Sequence, residues 1–349
     1  MSTTSKTILV TGSAGYLASW IVKKLIDQGH TVHGTVRSLK DKVKVAHLLK
    51  LAKSAPENLK LFEADLLINN SFDEAMQNCD VVIHTASPYF LDKPNNIQRE
   101  LIDPAVNGTK NVLNSINNTE SVKRVIVTSS IVTLFNNAKD LANRPDYKVT
   151  EKGINDNKDE TYNAYAFSKT RAECAAWEIS QKQERWDLIT VHPGAIFGPS
   201  QSNRHDGTSV NMMIQFLNGS FKTGVPNLSL GMVDVRDVAD VHIKAVLNPL
   251  AKGKYIAVGK TLTLLEISKL LDVDKYGIKN KLPQKELPKI LVWLIAPLAG
   301  MQRKYVANNV NYPITFDNSR SESQLGIQYY SPKQTLNDHV RQLVENGLV

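Results

Sequence analysis

The sequence contains little cysteine, and none of it is paired. Its 349 residues include only Cys79 and Cys174, which lie in unrelated segments and not in a Cys-x-x-Cys pair. This scarcity argues against a disulfide framework and against a cysteine metal site, and it predicts a reducing, cytoplasmic setting with no bound metal. The first six residues lead directly into an apolar run, which predicts that no signal peptide is present.

A long uninterrupted apolar run is also missing. Residues 287–301 come nearest, but they contain Lys289 and are interrupted by Pro288 and Pro297. The segment is too short to cross about 30 Å of hydrocarbon as a helix, so no membrane span is predicted. A helix that packs on the core or covers a pocket is the preferred interpretation, and association with a membrane surface is the alternative.

Clustered charge is absent as well. The 42 basic and 34 acidic residues give a net charge of +8, but the excess is spread as single lysines. No arginine-rich tract alternates with aromatic residues, so nucleic acid is not an expected partner. With 42% hydrophobic and 22% charged residues, the composition is that of an ordinary globular protein of one large or two smaller domains.

The first 190 residues alternate short apolar runs with longer amphipathic segments. Short apolar runs predict strands at residues 7–11, 31–36, 59–63, 81–85, 124–128 and 188–192. Helical periodicity predicts helices between them, at residues 16–28, 41–53, 72–78, 104–117 and 162–184. This alternation predicts an α/β fold with a doubly wound parallel sheet, a Rossmann domain with helices on both faces.

The regular alternation stops after Pro193. Gly, Pro, Asn and Ser become frequent between residues 194 and 231, and a helix is again predicted at residues 233–247. We therefore expect a Rossmann domain made of residues 1–193 plus about 232–250. The remaining segments, 194–231 and 251–349, are expected to interleave as a smaller α+β substrate lobe.

A glycine-rich loop lies between the first strand and the first helix. Gly12 allows a tight turn, and Gly15 lets the backbone approach a pyrophosphate at the helix N-terminus. Ala18 keeps the helix close to the strand. In this strand–loop–helix setting the loop predicts a dinucleotide-binding site.

The carboxylate that would select NAD is missing at the end of the second strand. An acidic residue about 20 positions beyond the loop would bind the ribose 2′-hydroxyl, but residues 35–38 contain none. Arg37 can instead form a two-pronged contact with a 2′-phosphate, and Lys42 or Lys44 can add a second positive charge. The sequence therefore predicts NADP(H) as the cofactor.

Tyr165 and Lys169 are four residues apart in a predicted helix. Residues at this spacing lie on one face of the helix, about one turn apart. A phenol ordinarily has a pKa near 10, and an adjacent, partly buried cation favours its ionised form. The pair can therefore serve proton transfer to a carbonyl oxygen, although the same spacing also occurs by chance in many helices.

Several motifs occur in the order found in one enzyme family. They are residues 11–18, 64–66, 84–88, 106–109, 127–130, 165–169 and 192–194. In these motifs the chain resembles the extended short-chain dehydrogenases, and among them the dihydroflavonol reductases, cinnamoyl-CoA reductases and fungal methylglyoxal reductases. The resemblance implies NADPH-dependent reduction of a small-molecule aldehyde or ketone by a monomer or a homodimer.

The resemblance also assigns roles to individual residues. It implies that Ser130, rather than Ser129, binds the substrate carbonyl oxygen. Tyr165 would donate the proton, and Lys169 would bind the nicotinamide ribose while favouring the phenolate. The residues expected to contact the cofactor are Thr11, Gly12, Ala14, Gly15, Tyr16, Leu17, Arg37, Lys44, Asp65, Leu66, Thr85, Ala86, Ser87, Tyr165, Lys169, Pro193, Gly194, Ile196 and Ser209. Those expected around the substrate are Tyr89, Ser130, Phe135 and Tyr162.

Alternatives remain open at this point. A 3β-hydroxysteroid dehydrogenase or a nucleotide-sugar epimerase would share the cofactor motifs, although epimerases prefer an acidic residue where Arg37 lies. A nonenzymatic NADP sensor would be expected to lack the serine–tyrosine–lysine set. Asp65 could equally cap the turn that follows it, and the ring residues around the substrate could be ordinary core residues. Residues 287–301 and 308–317 differ from the ending of dihydroflavonol reductases, which leaves the substrate open.

Overall fold

The computed structural model of the chain describes residues 5–87, 96–142, 147–202 and 207–349. The strands are β1 Thr7–Thr11, β2 Thr31–Val36, β3 Leu59–Glu63, β4 Val81–His84, β5 Arg124–Thr128, β6 Asp187–Pro193, β7 Ala195–Phe197, β8 Val225–Pro226, β9 Ser229–Asp234, β10 Gly253–Ala257, β11 Lys260–Thr263 and β12 Glu286–Leu287. The α-helices are α1 Tyr16–Asp27, α2 Lys42–Ser54, α3 Asp73–Met76, α4 Asp103–Asn117, α5 Ala164–Ser180, α6 Thr208–Asn218, α7 Val235–Leu247, α8 Leu264–Leu270, α9 Lys289–Ile295, α10 Arg303–Asn309, α11 Ser319–Leu325 and α12 Pro332–Glu345.

Seven strands form one large sheet in the order β3-β2-β1-β4-β5-β6-β10. Every neighbouring pair in it runs parallel. The central strands β1, β4 and β5 are mostly buried aliphatic residues, as expected for a parallel sheet that helices cover on both faces. The predicted α/β, doubly wound fold is confirmed.

The helices cover the two faces of this sheet in separate hydrophobic clusters. On one face α1, α2 and α7 bury residues such as Ile21, Leu48 and Val238 against the strands. On the other face α3, α4 and α5 contribute Met76 and Val112 among others. The strand order reverses between β1 and β4, and in doubly wound sheets a crevice opens at such a point, at the carboxyl ends of the strands.

A second hydrophobic cluster organises the other lobe. Its sheet contains β7, β9 and β11, and a separate parallel pair is formed by β8 and β12. Residues such as Phe197, Phe216 and Leu336 fill the core between these strands and the helices α6, α8 and α12.

Strand β10 does not follow the expected division of the chain. The sequence analysis assigns residues 251–349 to the second lobe, yet β10 pairs with β6 as an edge strand of the large sheet. It is a run of only five residues, and nothing local identifies the strand with which it pairs. The remainder of the proposed domain division stays a prediction.

Two predicted helices begin later than their periodicity suggests. The helix expected at 233–247 starts at Val235, because β9 extends to Asp234 and the Asp234 carboxylate accepts a hydrogen bond from the Arg236 N–H at 2.8 Å. The helix expected at 162–184 starts at Ala164, after Asn163 in a left-handed conformation. Asp and Asn are favoured N-cap residues, and here the caps set the boundaries.

The apolar segment near residue 290 forms a short helical hairpin. Helix α9 buries Val292 against Val306 and Val310 at α10, while Leu294 on its outer side and Leu298 just beyond its end are exposed. The inner face of α9 therefore packs on another helix. Within the described ranges, no helix has both the length and the apolar character needed to cross a membrane.

Candidate active site

The loop between β1 and α1 folds back on itself. Gly12 has a φ of +66°, a conformation that glycine adopts without strain, and the Gly15 N–H donates a hydrogen bond to the Gly12 carbonyl at 2.8 Å. Gly15 is also the N-cap of α1. The first N–H groups of a helix have no acceptor within the helix and carry a partial positive charge. The loop therefore has the geometry that binds a pyrophosphate.

The Thr11 hydroxyl joins this loop to the end of β4. Its Oγ1 accepts hydrogen bonds from the N–H groups of Thr85 at 3.2 Å and Ala86 at 3.1 Å. It also lies 2.8 Å from Nδ1 of the buried His84. Three of the predicted cofactor residues are thereby brought together at the crevice between β1 and β4.

Tyr16 and Leu17 use their side chains for packing. The Tyr16 hydroxyl donates a hydrogen bond to the Gly198 carbonyl at 2.5 Å, and Leu17 is buried in the core under α1. Only the backbone N–H groups of these two residues, at the start of the helix, are placed to meet a phosphate.

Arg37 lies just beyond β2 and is largely exposed. Its side chain is 84% accessible, and its Nε is 3.7 Å from Oδ2 of Asp65. The other carboxylate oxygen of Asp65 accepts a hydrogen bond from the Leu67 N–H at 2.9 Å, so Asp65 does cap the following turn. Lys44 pairs with Asp41 at 3.0 Å. The guanidinium of Arg37 is thus accessible to an incoming phosphate.

The predicted catalytic residues lie at the carboxyl edge of the sheet. Tyr165 and Lys169 are in α5, and the Lys169 Nζ donates a hydrogen bond to the Thr128 carbonyl, at the end of β5, at 3.5 Å. Ser130 follows β5 and begins a short turn by accepting a hydrogen bond from the Val132 N–H at 3.4 Å. Helix α5 packs against this turn, and the Tyr165 side chain is 47% exposed.

The two adjacent serines have different surroundings. Ser129 Oγ donates a hydrogen bond to Glu173 Oε2 at 2.5 Å and lies 3.5 Å from Thr133 Oγ1. The Ser129 hydroxyl is therefore already used in a hydrogen bond to a side chain of α5. Ser130 Oγ has only the long contact to Val132 among the hydrogen bonds described for it. This difference supports the choice of Ser130, which stays a prediction.

Burial changes the titration of Lys169. It lowers the pKa of Lys169 to about 8, and the nearby Glu173 carboxylate acts in the opposite direction. The ammonium group is therefore charged at neutral pH but loses its proton at mildly alkaline pH. Burial and the charge of Lys169 together lower the pKa of His84 to about 3, which keeps that imidazole neutral.

The turn after β6 places a glycine against backbone. The Gly194 N–H donates a hydrogen bond to the Ala257 carbonyl at 3.1 Å, and a Cβ added at Gly194 would lie 2.1 Å from the Gly231 carbonyl oxygen. Pro193 ends β6 and Ile196 lies in β7. Close packing between the two lobes thus requires glycine at position 194.

Replacing Gly194 with alanine is expected to destabilise the protein by about 1–3 kcal/mol, because backbone must move to accept the methyl group. Thermal unfolding measures the effect. Gly207→Ala is the matched control, since among the described residues its Cβ would meet nothing closer than 3.9 Å. Equal melting temperatures for the two variants would contradict the steric role of Gly194.

The candidate substrate residues are largely engaged in packing. Phe135 is half-buried and makes an edge-to-face contact with Phe316 at 5.9 Å. Tyr162 is buried, and its hydroxyl donates a hydrogen bond to the Asn137 side-chain carbonyl. Tyr89 lies outside the described residues. The role of these residues at a substrate therefore stays a prediction, and the described contacts are those of core residues.

The remaining cofactor candidates are distributed around the crevice. Leu66 follows β3, and its carbonyl accepts a hydrogen bond from the Asn111 side chain at 2.8 Å. Ser87 lies beyond β4 and lines a small cavity together with Lys169. Ala14 lies within the loop, and Ser209 lies in the first turn of α6. Of this group, Ala14 and Ser87 are nearest in the chain to the loop and to the end of β4.

A buried charge cluster behind Lys169 was not predicted. Glu173 is 5% exposed, and its carboxylate lies 2.8 Å from Lys254 Nζ and 3.6 Å from His192 Nε2. The four-residue repeat Tyr165, Lys169, Glu173 along α5 could have indicated the carboxylate, since all three share a helix face. Lys254 carries no such signal, because only the pairing of β10 with β6 brings it there.

Comparisons with known proteins agree with this arrangement. The sequence pattern of the NAD dependent epimerase/dehydratase family matches residues 8–259. The chain is 36% identical to cinnamoyl-CoA reductase CAD2 of Medicago truncatula over 342 residues, which cover 97% of this chain and 95% of that protein. It is 34% identical to tetraketide alpha-pyrone reductase 1 of Arabidopsis thaliana over 341 residues, which cover 97% of this chain and 96% of that protein.

Solved structures resemble the fold over its whole length. Yeast methylglyoxal/isovaleraldehyde reductase Gre2, complexed with NADPH, has a TM-score of 0.82 and 28% sequence identity. That match covers 98% of this chain and 100% of the Gre2 chain. The chain therefore belongs to the NAD dependent epimerase/dehydratase family, in the reductase group of the extended short-chain dehydrogenases that its motifs resemble, and it is an oxidoreductase.

Proposed function

We propose that the protein is an NADPH-dependent carbonyl reductase that converts an aldehyde or ketone to the alcohol. The observation that carries the proposal is the meeting of two features at the carboxyl edge of one sheet. The phosphate loop lies after β1, while Ser130 follows β5 and α5 presents Tyr165 and Lys169. A nonenzymatic nucleotide sensor would have no need of the second feature.

The residues present fit the cofactor. Gly12 in a positive-φ conformation and the N-terminus of α1 suit a pyrophosphate, and the 84% exposed Arg37 suits a 2′-phosphate. The NADPH complex of yeast Gre2 supports the same choice for this chain. When bound, NADPH supplies the hydride that reduces the carbonyl carbon.

The chain's own residues then bind and protonate the carbonyl oxygen of the substrate. Ser130 donates a hydrogen bond to the carbonyl oxygen, and Tyr165 donates its phenolic proton as negative charge develops there. Lys169 holds the nicotinamide ribose and stabilises the phenolate that remains. Placement of the reacting groups contributes the rest of the rate enhancement.

The names of the relatives indicate the substrate class only broadly. Cinnamoyl-CoA, methylglyoxal and isovaleraldehyde are named by the relatives and define the first panel. The proposed setting is the cytoplasm, in agreement with the two unpaired cysteines, and the proposed assembly is a monomer or a homodimer.

The proposal predicts that the protein oxidises NADPH in the presence of at least one aldehyde or ketone. The assay follows NADPH absorbance with the panel above, and with UDP-glucose plus NAD as the epimerase control. Reactions without a carbonyl compound give the background rate. Tight NADPH binding without turnover of any carbonyl would favour a nucleotide sensor, and interconversion of the sugar nucleotide would favour an epimerase.

A further inference from the structure

Glu173 is a buried carboxylate that receives contacts from two strands and from a residue just beyond a third. Ser129, which follows β5, donates a hydrogen bond to it at 2.5 Å. Lys254 of β10 lies 2.8 Å away and His192 of β6 lies 3.6 Å away. A buried carboxylate is costly unless it is paired and hydrogen-bonded. The reaction scheme above gives Glu173 no role, although it lies one helical turn beyond Lys169.

Lys169 and Glu173 border the same small cavity. It has a volume of about 20 Å³, and both Lys169 and Glu173 line it together with Thr128, Ser129 and His84. A single water molecule needs a cavity of about 10–15 Å³ and two to four polar partners. The ammonium, the carboxylate and a backbone carbonyl supply such partners.

We propose that Glu173 is a positioning residue for the reaction, which fixes the charge and the location of Lys169 through one water molecule held in this cavity. Lys254 offsets part of the negative charge of Glu173, so it limits how strongly the carboxylate favours the charged form of Lys169. The proposal rests on the role assigned to Lys169 above.

The charges around the cavity support this assignment. The titratable groups that face it or border Glu173 from the packed elements are His84 on β4, Cys174 on α5, His192 on β6 and Lys254 on β10. Helix α4 contributes only Ala105 and Thr109 to the cavity wall. Burial lowers the pKa of both His84 and His192, and it raises the pKa of Cys174.

At neutral pH Glu173 carries a negative charge, while Lys169 carries a positive charge that it loses near pH 8. Burial acts to raise the pKa of Glu173, but His192, Lys254 and the hydrogen bond from Ser129 bring it below its usual value, so the carboxylate stays ionised. The Glu173 carboxylate interacts with two cations: Lys254 lies 2.8 Å away, and Lys169 borders the same cavity. Each cation competes for the same carboxylate, so removing Glu173 and removing Lys254 must change the titration of Lys169 in opposite directions.

The test measures the dissociation constant of NADPH between about pH 6 and about pH 10 by fluorescence. Affinity is expected to fall as Lys169 loses its proton, with a midpoint in the wild type near its pKa of about 8. Glu173→Gln is expected to move this midpoint down by about one pH unit, because the charge that favours the ammonium is gone. Lys254→Met is expected to move it up, and Glu173→Asp, which keeps the charge, is expected to restore it.

The outcomes separate a positioning role from a structural one. A structural role alone would lower the melting temperatures of Glu173→Gln and Lys254→Met without moving the midpoint, and that result would overturn the proposal. Midpoints that move in the same direction would overturn it too. If Glu173→Gln does not fold, Lys254→Met decides alone. NADPH binding needs no substrate, so the test holds even if no carbonyl compound is reduced.

Discussion

Replacing Tyr165 with phenylalanine is expected to lower kcat by about 10²–10⁴-fold, the range that general acid catalysis supplies. The substitution removes only the hydroxyl oxygen and keeps the half-exposed ring in its place on α5. Because Lys169 and the phosphate loop are unchanged, the dissociation constant of NADPH should stay within about twofold. The measurement is kcat with the best carbonyl compound of the panel, together with NADPH binding by fluorescence.

Tyr312→Phe is the matched control for this substitution. Tyr312 lies in the second lobe with the ammonium of Lys289 4.3 Å above its ring, a contact that phenylalanine also makes. It should leave kcat almost unchanged. A Tyr165→Phe enzyme that retains a near-normal kcat would remove Tyr165 from the role of proton donor.

Replacing Arg37 with alanine is expected to lower kcat/KM for NADPH by about 10–100-fold, since hydrogen bonds to charged groups contribute about 1.5–3 kcal/mol. The value for NADH should change little, because NADH carries no 2′-phosphate. The ratio of the two values is therefore the quantity to measure. Loss of Arg37 leaves Asp65 without its ion-pair partner, but Asp65 is 29% exposed and solvent screens it.

Arg341→Ala controls for the general loss of one positive charge. Arg341 is exposed on α12, where it pairs with Asp338 at 2.8 Å. It should leave the NADPH to NADH ratio at the wild-type value. An unchanged ratio in Arg37→Ala, or a wild-type enzyme that uses both cofactors equally, would refute the selection of NADPH by Arg37.

Features with short-range causes could be predicted from the sequence. Three such features depend on residues within a few positions of each other. They are the tight turn at Gly12, the start of α1 just after the glycine-rich loop, and the spacing of Tyr165 and Lys169 on one helix. Apolar runs likewise predicted the first six strands of the sheet. The central ones are buried on both faces, which leaves little choice of composition.

Features that depend on distant parts of the chain could not be predicted. The pairing of Glu173 with Lys254 requires that β10 join the sheet beside β6. The partner of the Tyr162 hydroxyl, the Asn137 side chain, lies in a loop with no periodic pattern. The family resemblance identified Tyr162 as a candidate contact, but tertiary packing determines which group its hydroxyl meets.

The position of β10 has a consequence for dissecting the protein. Chain cleavage near residue 250 would separate the large sheet from its last strand, and β6 would then expose a row of unpaired backbone N–H and C=O groups. It would also detach the ammonium of Lys254 from the Glu173 carboxylate. The nucleotide-binding half therefore does not end where its sequence pattern ends: an autonomous fragment must retain the segment that returns to the sheet from the second lobe.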